Sequence, residues 1–235
     1  MSKKLFSKQL SNLLKKEYLS SQFLQEIFVQ IHIDRFEQDA IFSGKSERVV
    51  VDIGAASPTH FSNTKYFLEN GFFGILVEPN PYFYNQLRKY YGEKHKIWNG
   101  AIVGESSSKE ETMIDAGYLS TLLNSEHHDQ FEKIRKRIQK SQFNIQVLGS
   151  KSFVNDFNIP QKFLYLSIDA EGLDLDIIQH WPFQVARPIC VTVEHNFNPF
   201  IETSIDECMK NNGYSRVLRR FSSVDGYYVE NKMIL

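Results

Sequence analysis

Cysteine, charge of one sign and long hydrophobic runs are all scarce in this chain, and each scarcity excludes something. Two cysteines, Cys190 and Cys208, cannot build a disulfide framework, and Cys190 lies in an apolar run as a small core residue. Two free thiols suit a reducing compartment better than secretion. No stretch approaches the roughly 18 apolar residues of a membrane span, and no signal-peptide pattern opens the chain. A formal net charge of -1 gives no general attraction to nucleic acid. These features predict a cytoplasmic protein without membrane span or nucleic-acid partner. What is present is ordinary: 42% hydrophobic and 23% charged residues exclude a disordered chain, a collagen and a coiled coil. A length of 235 residues favours one large α/β domain over two small ones. Such a domain buries roughly 70–75% of its unfolded surface and needs no disulfide or structural metal.

Residues 1–46 differ from the rest. Between Lys3 and Phe42 there is no proline or glycine, and Leu10, Leu13, Leu14, Phe23, Leu24, Ile27 and Phe28 recur at helical steps. This predicts an N-terminal helical extension. Five lysines against Glu17 in residues 1–17 fit a solvated helix face, a lid, a homo-oligomer contact or a grip on an acidic acceptor. Gly44-Lys45-Ser46 is a loop and not a phosphate cradle, because it precedes a strand instead of following one.

From Arg48 the pattern changes to short β-branched runs. Arg48–Ile53, Gly71–Glu78, Ile97–Val103, Phe163–Asp169 and Pro188–Glu194 read as five buried strands. Helical patterns lie at 62–70, 81–91, 173–180 and 200–212. Strands alternating with helices predict a doubly wound, mostly parallel sheet. Tyr214–Phe221 and Val224–Val229 read as an antiparallel C-terminal hairpin. Between them, residues 105–160 read as a polar loop, a basic helical run from Phe131 to Lys140 and a short helix near 151–157.

In an open parallel sheet the ligand lies beyond the carboxyl ends of the strands. Those ends carry Asp52, Gly54, Glu78, the 99–104 turn, Asp169, Glu171, Glu194, His195 and Asn196. A dinucleotide loop needs further glycines after Gly54, but Ala56 takes one such place and Pro58 has no N–H to donate. S-adenosylmethionine carries no phosphate and tolerates this loop. Glu78, 24 residues after Gly54, is placed to accept both ribose hydroxyls.

Val51-Asp52-Ile53-Gly54-Ala55, Phe61-Ser62-Asn63-Thr64, Gly74 through Pro81, Leu166 through Gly172, and Val193-Glu194-His195-Asn196 together resemble the FkbM family of S-adenosylmethionine-dependent methyltransferases. The resemblance runs from about residue 47 to the end, making 47–235 the methyltransferase domain. It implies a class I methyltransferase fold, Rossmann-like and seven-stranded, with one antiparallel strand. It also implies O-methylation, commonly of a hydroxyl on a saccharide or glycosylated acceptor; the alternatives are methylation of a lipid, peptide or amine, or a non-catalytic adenosine-nucleoside-binding protein of the same fold. By position it assigns Asp52, Gly54 and Ala55 to the methionine end of the cofactor, Glu78 and Pro79 to the ribose, and Gly100-Ala101 to the adenine, with Asp169 also counted among the cofactor-binding residues. Ala56 and Pro58 depart from the family, which often has Asn and Gly near these places, and Ser62 and Asn63 are the nearest substitutes.

Methyl transfer to a hydroxyl needs alignment and a sink for the proton. Asp169 and Glu194 end adjacent strands. With His195 and Asn196 they form an oxygen-rich set suited to Mg²⁺ or Mn²⁺, and analogy to sugar O-methyltransferases nominates Asp169, Glu194 and His195 as metal ligands. Without a metal, His195 or Asp169 is the base. Glu171 is either part of the catalytic set or a helix-capping acid. His127-His128 reads as solvated, and Trp98 and Trp181 as core anchors or sugar-stacking faces. The basic run at Arg135, Lys136, Arg137 and Lys140 is either a solvated face or a contact for an anionic acceptor.

Overall fold

The computed structural model describes residues 47–106, 108–123, 136–195, 198–218 and 224–233. The N-terminal extension, His127-His128, Arg135 and Asn196 lie outside them. Strand β1, Glu47–Ile53, is the hub, because three consecutive valines and an isoleucine pack equally well on both faces of a sheet. It pairs in parallel with β2, Phe73–Val77, on one side and β8, Lys162–Ile168, on the other. β3, Lys96–Trp98, closes one edge beside β2, and β9, Arg187–Glu194, follows β8. The hairpin β10, Tyr214–Val217, and β11, Asp225–Glu230, completes a seven-stranded sheet of order β10-β11-β9-β8-β1-β2-β3. Only β11 runs antiparallel to its neighbours.

Helices cover both faces. Val49, Val51 and Ile53 point into one core with Phe153 and Val154 of α3 (Ser150–Asp156), Ile177 and Ile178 of α4 (Asp174–His180), and Ile205 and Met209 of α5 (Pro199–Asn211). Val50 points into the other, with Phe67 and Leu68 of α1 (Lys65–Glu69) and Leu87 and Tyr91 of α2 (Pro81–Tyr91). Both long helices start on an asparagine: Asn80 accepts from the Tyr82 amide and Asn198 from the Phe200 and Ile201 amides, each followed by proline. Every residue of β8 is buried, and burying its apolar side chains contributes about 1.5–3 kcal/mol each.

The structure corrects the third predicted strand. Ile97–Val103 is broken at Asn99-Gly100 into β3 and a separate β4, Ala101–Val103. Asn99 turns its amide onto the carbonyls of Glu78 and Pro79, at 2.8 and 3.0 Å. Gly100 lies against the Trp98 ring, where a Cβ would come within 2.2 Å. β4 then joins a second, four-stranded sheet, β4-β7-β5-β6, with β5 at Glu110–Asp115, β6 at Thr121–Leu122 and β7 at Ser141–Gly149. This small sheet takes up part of the region that reads as polar loop; of the predicted basic helical run, residues 131–135 lie outside the described residues and 136–138 form one helical turn. No described helix is long and apolar enough to cross a membrane.

Candidate active site

The carboxyl ends of β1, β2, β8 and β9 face one cavity of about 650 Å³, roofed by the turn of the small sheet at residues 117–122. The loop after β1 makes the first wall. Gly54 has φ +89°, and a Cβ there would lie 1.8 Å from the Asp169 carbonyl oxygen, so only glycine lets β1 and β8 diverge at this point. The amides of Gly54 and Ala55 return to the Val77 carbonyl, both at 3.0 Å, leaving the Ala56 amide free to turn outward. Glu78 receives that amide on Oε2 at 2.7 Å and the Asn80 amide on Oε1 at 2.6 Å. Two backbone donors thus clamp a carboxylate that is only 4% exposed. Burial pushes its pKa up to about 7 against those two hydrogen bonds, with a smaller contribution from the charge of Asp52. Asp52, beneath the loop, is raised by burial to about 6. Its Oδ2 accepts from the Thr64 hydroxyl at 2.6 Å, while Oδ1 receives no hydrogen bond among the described residues.

The second wall is acidic. Asp169 and Glu194, at the ends of the adjacent strands β8 and β9, interact side chain to side chain. Burial first, then the neighbouring carboxylates, hold both well above the usual carboxylate range. Asp225 joins them because β11 is antiparallel and opens directly opposite Glu194. Asp174 arrives from the start of α4, where its carboxylate accepts from the amides of Ala170 and Gly172 at 2.8 and 3.0 Å. Glu171 sits between these amides with φ +51°. Backbone held in this region against its cost is a mark of functional turns. The turn before α4 is thus tied by Asp174, while Glu171 lines the cavity.

The profile of the methyltransferase FkbM domain matches residues 52–216, which is 165 of the 235 residues and contains both walls apart from Asp225. The chain belongs to the FkbM methyltransferase family. It is an S-adenosylmethionine-dependent methyltransferase. No curated protein matches the sequence significantly. Among solved structures, precorrin-6y C5,15-methyltransferase from Geobacter metallireducens is similar at 12% identity and a TM-score of 0.40, over 92% of this chain and 89% of that one. Magnesium protoporphyrin IX methyltransferase from Synechocystis is similar at 11% identity and a TM-score of 0.39, over 97% and 94%.

Of the positions that the sequence nominated in this FkbM chain, Gly54, Asn63, Glu78, Pro79, Ala101, Asp169, Glu171 and Glu194 line the cavity. Asp52, Ala55, Ser62 and Gly100 are not among its lining residues. Ser62 caps the approach to α1 by accepting from the Lys65 amide at 3.1 Å, and Asn63 donates to the Ser167 hydroxyl at 2.8 Å. His195 is the main departure. It is 2% exposed and does not line the cavity. Its Nε2 lies 3.3 Å from Arg216, which in turn pairs with Glu202 and Asp206. Burial, then Arg216, holds its pKa below the usual imidazole range, so it is a neutral acceptor within that network and turned away from Asp169. The next residue along a strand points to the opposite face, and His195 follows Glu194 in just this way. Trp181 is a core anchor whose indole N–H donates to the Ala186 carbonyl at 2.8 Å. Asp174 and Asp225 escaped the sequence reading, one because it sits on a helix and the other because it opens a strand instead of ending one. The aromatic rim formed by Phe61, Phe83 and Tyr118 escaped it too.

Proposed function

We propose that this methyltransferase places a methyl group on a hydroxyl of a saccharide or glycosylated acceptor, with the Asp169–Glu194 pair taking the hydroxyl proton. The observation carrying this reading is that pair itself: two interacting carboxylates on the wall of a cavity that also holds Glu78. S-adenosylmethionine supplies an activated methyl on a sulfonium when bound. The residues present fit it. Gly54, packed without a side chain against the Asp169 backbone, presents its backbone to the cavity, and Glu78 is placed to accept ribose hydroxyls. In the transfer, the acceptor oxygen forms its bond to the methyl carbon as the carbon–sulfur bond breaks, with that electron pair going to sulfur. The hydroxyl proton passes to a carboxylate oxygen of the pair. Burial first, then the charges of Glu171, Asp174 and Asp225, make this pair more basic than an isolated carboxylate, which brings it nearer to the weakly acidic hydroxyl.

One observation favours a second form of the same reading. Asp169, Asp174 and Glu194 each offer an oxygen within 4.8 Å of the others, an all-carboxylate set that suits Mg²⁺. These three would hold such an ion, replacing the set that included His195, and it would acidify the alcohol as a Lewis acid. The test is transfer of labelled methyl to a panel of glycosides by wild type and Asp169→Asn, with Mg²⁺ or with a chelator. The base reading expects a loss of roughly 10²–10⁴ in kcat for the variant, with S-adenosylhomocysteine affinity within a few-fold of wild type and no effect of chelation. Loss of activity on chelation, restored by Mg²⁺, selects the metal form. Unchanged turnover in Asp169→Asn overturns both.

A further inference from the structure

The cavity mouth carries aromatic side chains that neither the cofactor assignment nor the acid pair uses. Phe61 is 80% exposed and Tyr118 46%, and their rings meet edge to face at 6.0 Å across the opening. Phe61 belongs to the loop between β1 and α1, while Tyr118 belongs to the small sheet's turn, so the two sides of the mouth are built by different layers. Tyr118 is backed by Phe83 of α2 at 4.5 Å, whose own ring is buried. Phe61 has φ +58°, a conformation that bulky side chains rarely adopt. The loop on its N-terminal side is tied down by the Ser57 hydroxyl, which accepts from the amides of Thr59 and His60. Strained backbone thus holds a large apolar side chain out of the core, at the one place where a ligand would cover it.

The charge of the lining is equally one-sided. Glu78, Asp169, Glu171, Glu194 and Asp225 line the cavity, and His60 is the only basic residue among the described lining, which has no lysine or arginine. An acceptor phosphate or carboxylate brought here would meet like charge, with no lysine or arginine among the described lining residues to pair with it. The exposed Lys136, Arg137 and Lys140 are not part of this lining.

We propose that Phe61 and Tyr118 form a stacking clamp for an uncharged ring of the acceptor, and that the carboxylate wall excludes acceptors with an anionic group beside the methylated hydroxyl. This rests on the cavity being the methyl-transfer site. A hexose ring presents a face of C–H groups that packs on an aromatic ring while its hydroxyls stay free at the edge, one of them directed inward. An anionic sugar has the same face and fails on charge.

The test is saturation-transfer NMR with S-adenosylhomocysteine bound, using the neutral methyl glycosides of glucose, galactose, mannose and rhamnose beside methyl glucuronoside. Calorimetry of S-adenosylhomocysteine on the same samples accompanies it. At least one neutral glycoside should bind, roughly tenfold more tightly than the glucuronoside. Phe61→Ala and Tyr118→Ala should each weaken it by roughly tenfold, Tyr118→Phe should retain it, and S-adenosylhomocysteine affinity should not change in any of them. Tyr82→Ala, which truncates an exposed ring outside the lining, is the control and should bind like wild type. Equal binding of the glucuronoside, no transfer to any neutral ring, or clamp variants that bind normally would each overturn the proposal. Loss of S-adenosylhomocysteine affinity in the two alanine variants would assign the rings to the adenine and overturn it as well. If wild type itself fails to bind S-adenosylhomocysteine, the underlying cofactor site is what fails.

Discussion

Replacing Glu78 with glutamine is the sharpest probe of the cofactor site. The carboxylate is buried and already accepts two backbone amides, through different oxygens, at 2.7 and 2.6 Å. On the proposed assignment its remaining lone pairs would accept from the ribose hydroxyls. Glutamine keeps one oxygen, but its NH₂ must face one of the two backbone donors, so a charge-assisted acceptor is replaced by opposed N–H groups. Hydrogen bonds to a charged group are worth about 1.5–3 kcal/mol, which corresponds to roughly 10–150-fold in the affinity for S-adenosylmethionine. A second signature follows from the pKa near 7. Accepting hydroxyl protons favours the ionised form, so wild-type affinity should be level above about pH 7 and weaken by up to ~tenfold for each pH unit below it. The glutamine variant should lack that slope. Calorimetric titration of S-adenosylhomocysteine into both proteins, from about pH 5.5 to 8.5, reads affinity and slope together. Wild-type affinity in Glu78→Gln at pH 8, or a wild-type profile flat across this range, would refute the assignment of Glu78 to the ribose.

Gly54→Ala should fail to fold or lose more than about 3 kcal/mol of stability, since its Cβ overlaps the Asp169 carbonyl and the positive φ adds strain; a thermal melt within a few degrees of wild type would contradict this. Asp52 and Glu78 have folded pKa values of about 6 and 7, above their ordinary 3.8 and 4.5. The stability contributed by their protonated forms is therefore complete below about pH 4 and is lost as pH rises through 6 to 7, on the order of 3 kcal/mol each. The ligand-free protein should accordingly melt lower at pH 8 than at pH 5, and Asp52→Asn should flatten part of that fall. A melting temperature that is flat or rises with pH would count against both shifts. His195→Asn should lower thermal stability by loosening the Arg216 network, yet keep kcat per folded molecule within a few-fold of wild type. A kcat loss matching that of Asp169→Asn would return the histidine to the catalytic set.

The sequence by itself determined the frame of the site. Runs such as Arg48–Ile53 and Phe163–Ile168 can only be buried strands, because β-branched and aromatic side chains on both faces leave no side for water. A carboxylate or glycine just past each run then lies on the ligand edge of a parallel sheet, whatever the loops do. That is why Gly54, Glu78, Asp169 and Glu194 could be named before any coordinates. Tertiary structure alone decided the rest. In the small sheet over residues 101–149, β7 does alternate, from Gln142 to Val147, and so was legible as a strand, whereas β4, β5 and β6 are short and separated from it by long stretches of chain, so their pairing was not. Asp225 reached the acid cluster only through the antiparallel direction of β11, and Asp174 through the start of α4. His195 left the site because a one-residue step along a strand reverses the side chain, and burial against Arg216 then fixed it there. Phe61 and Tyr118, 57 residues apart, meet only because two layers close over one cavity. Strand ends are a local property that pattern reveals, whereas the shape and charge of a mouth come from contacts between distant segments, which no local pattern encodes.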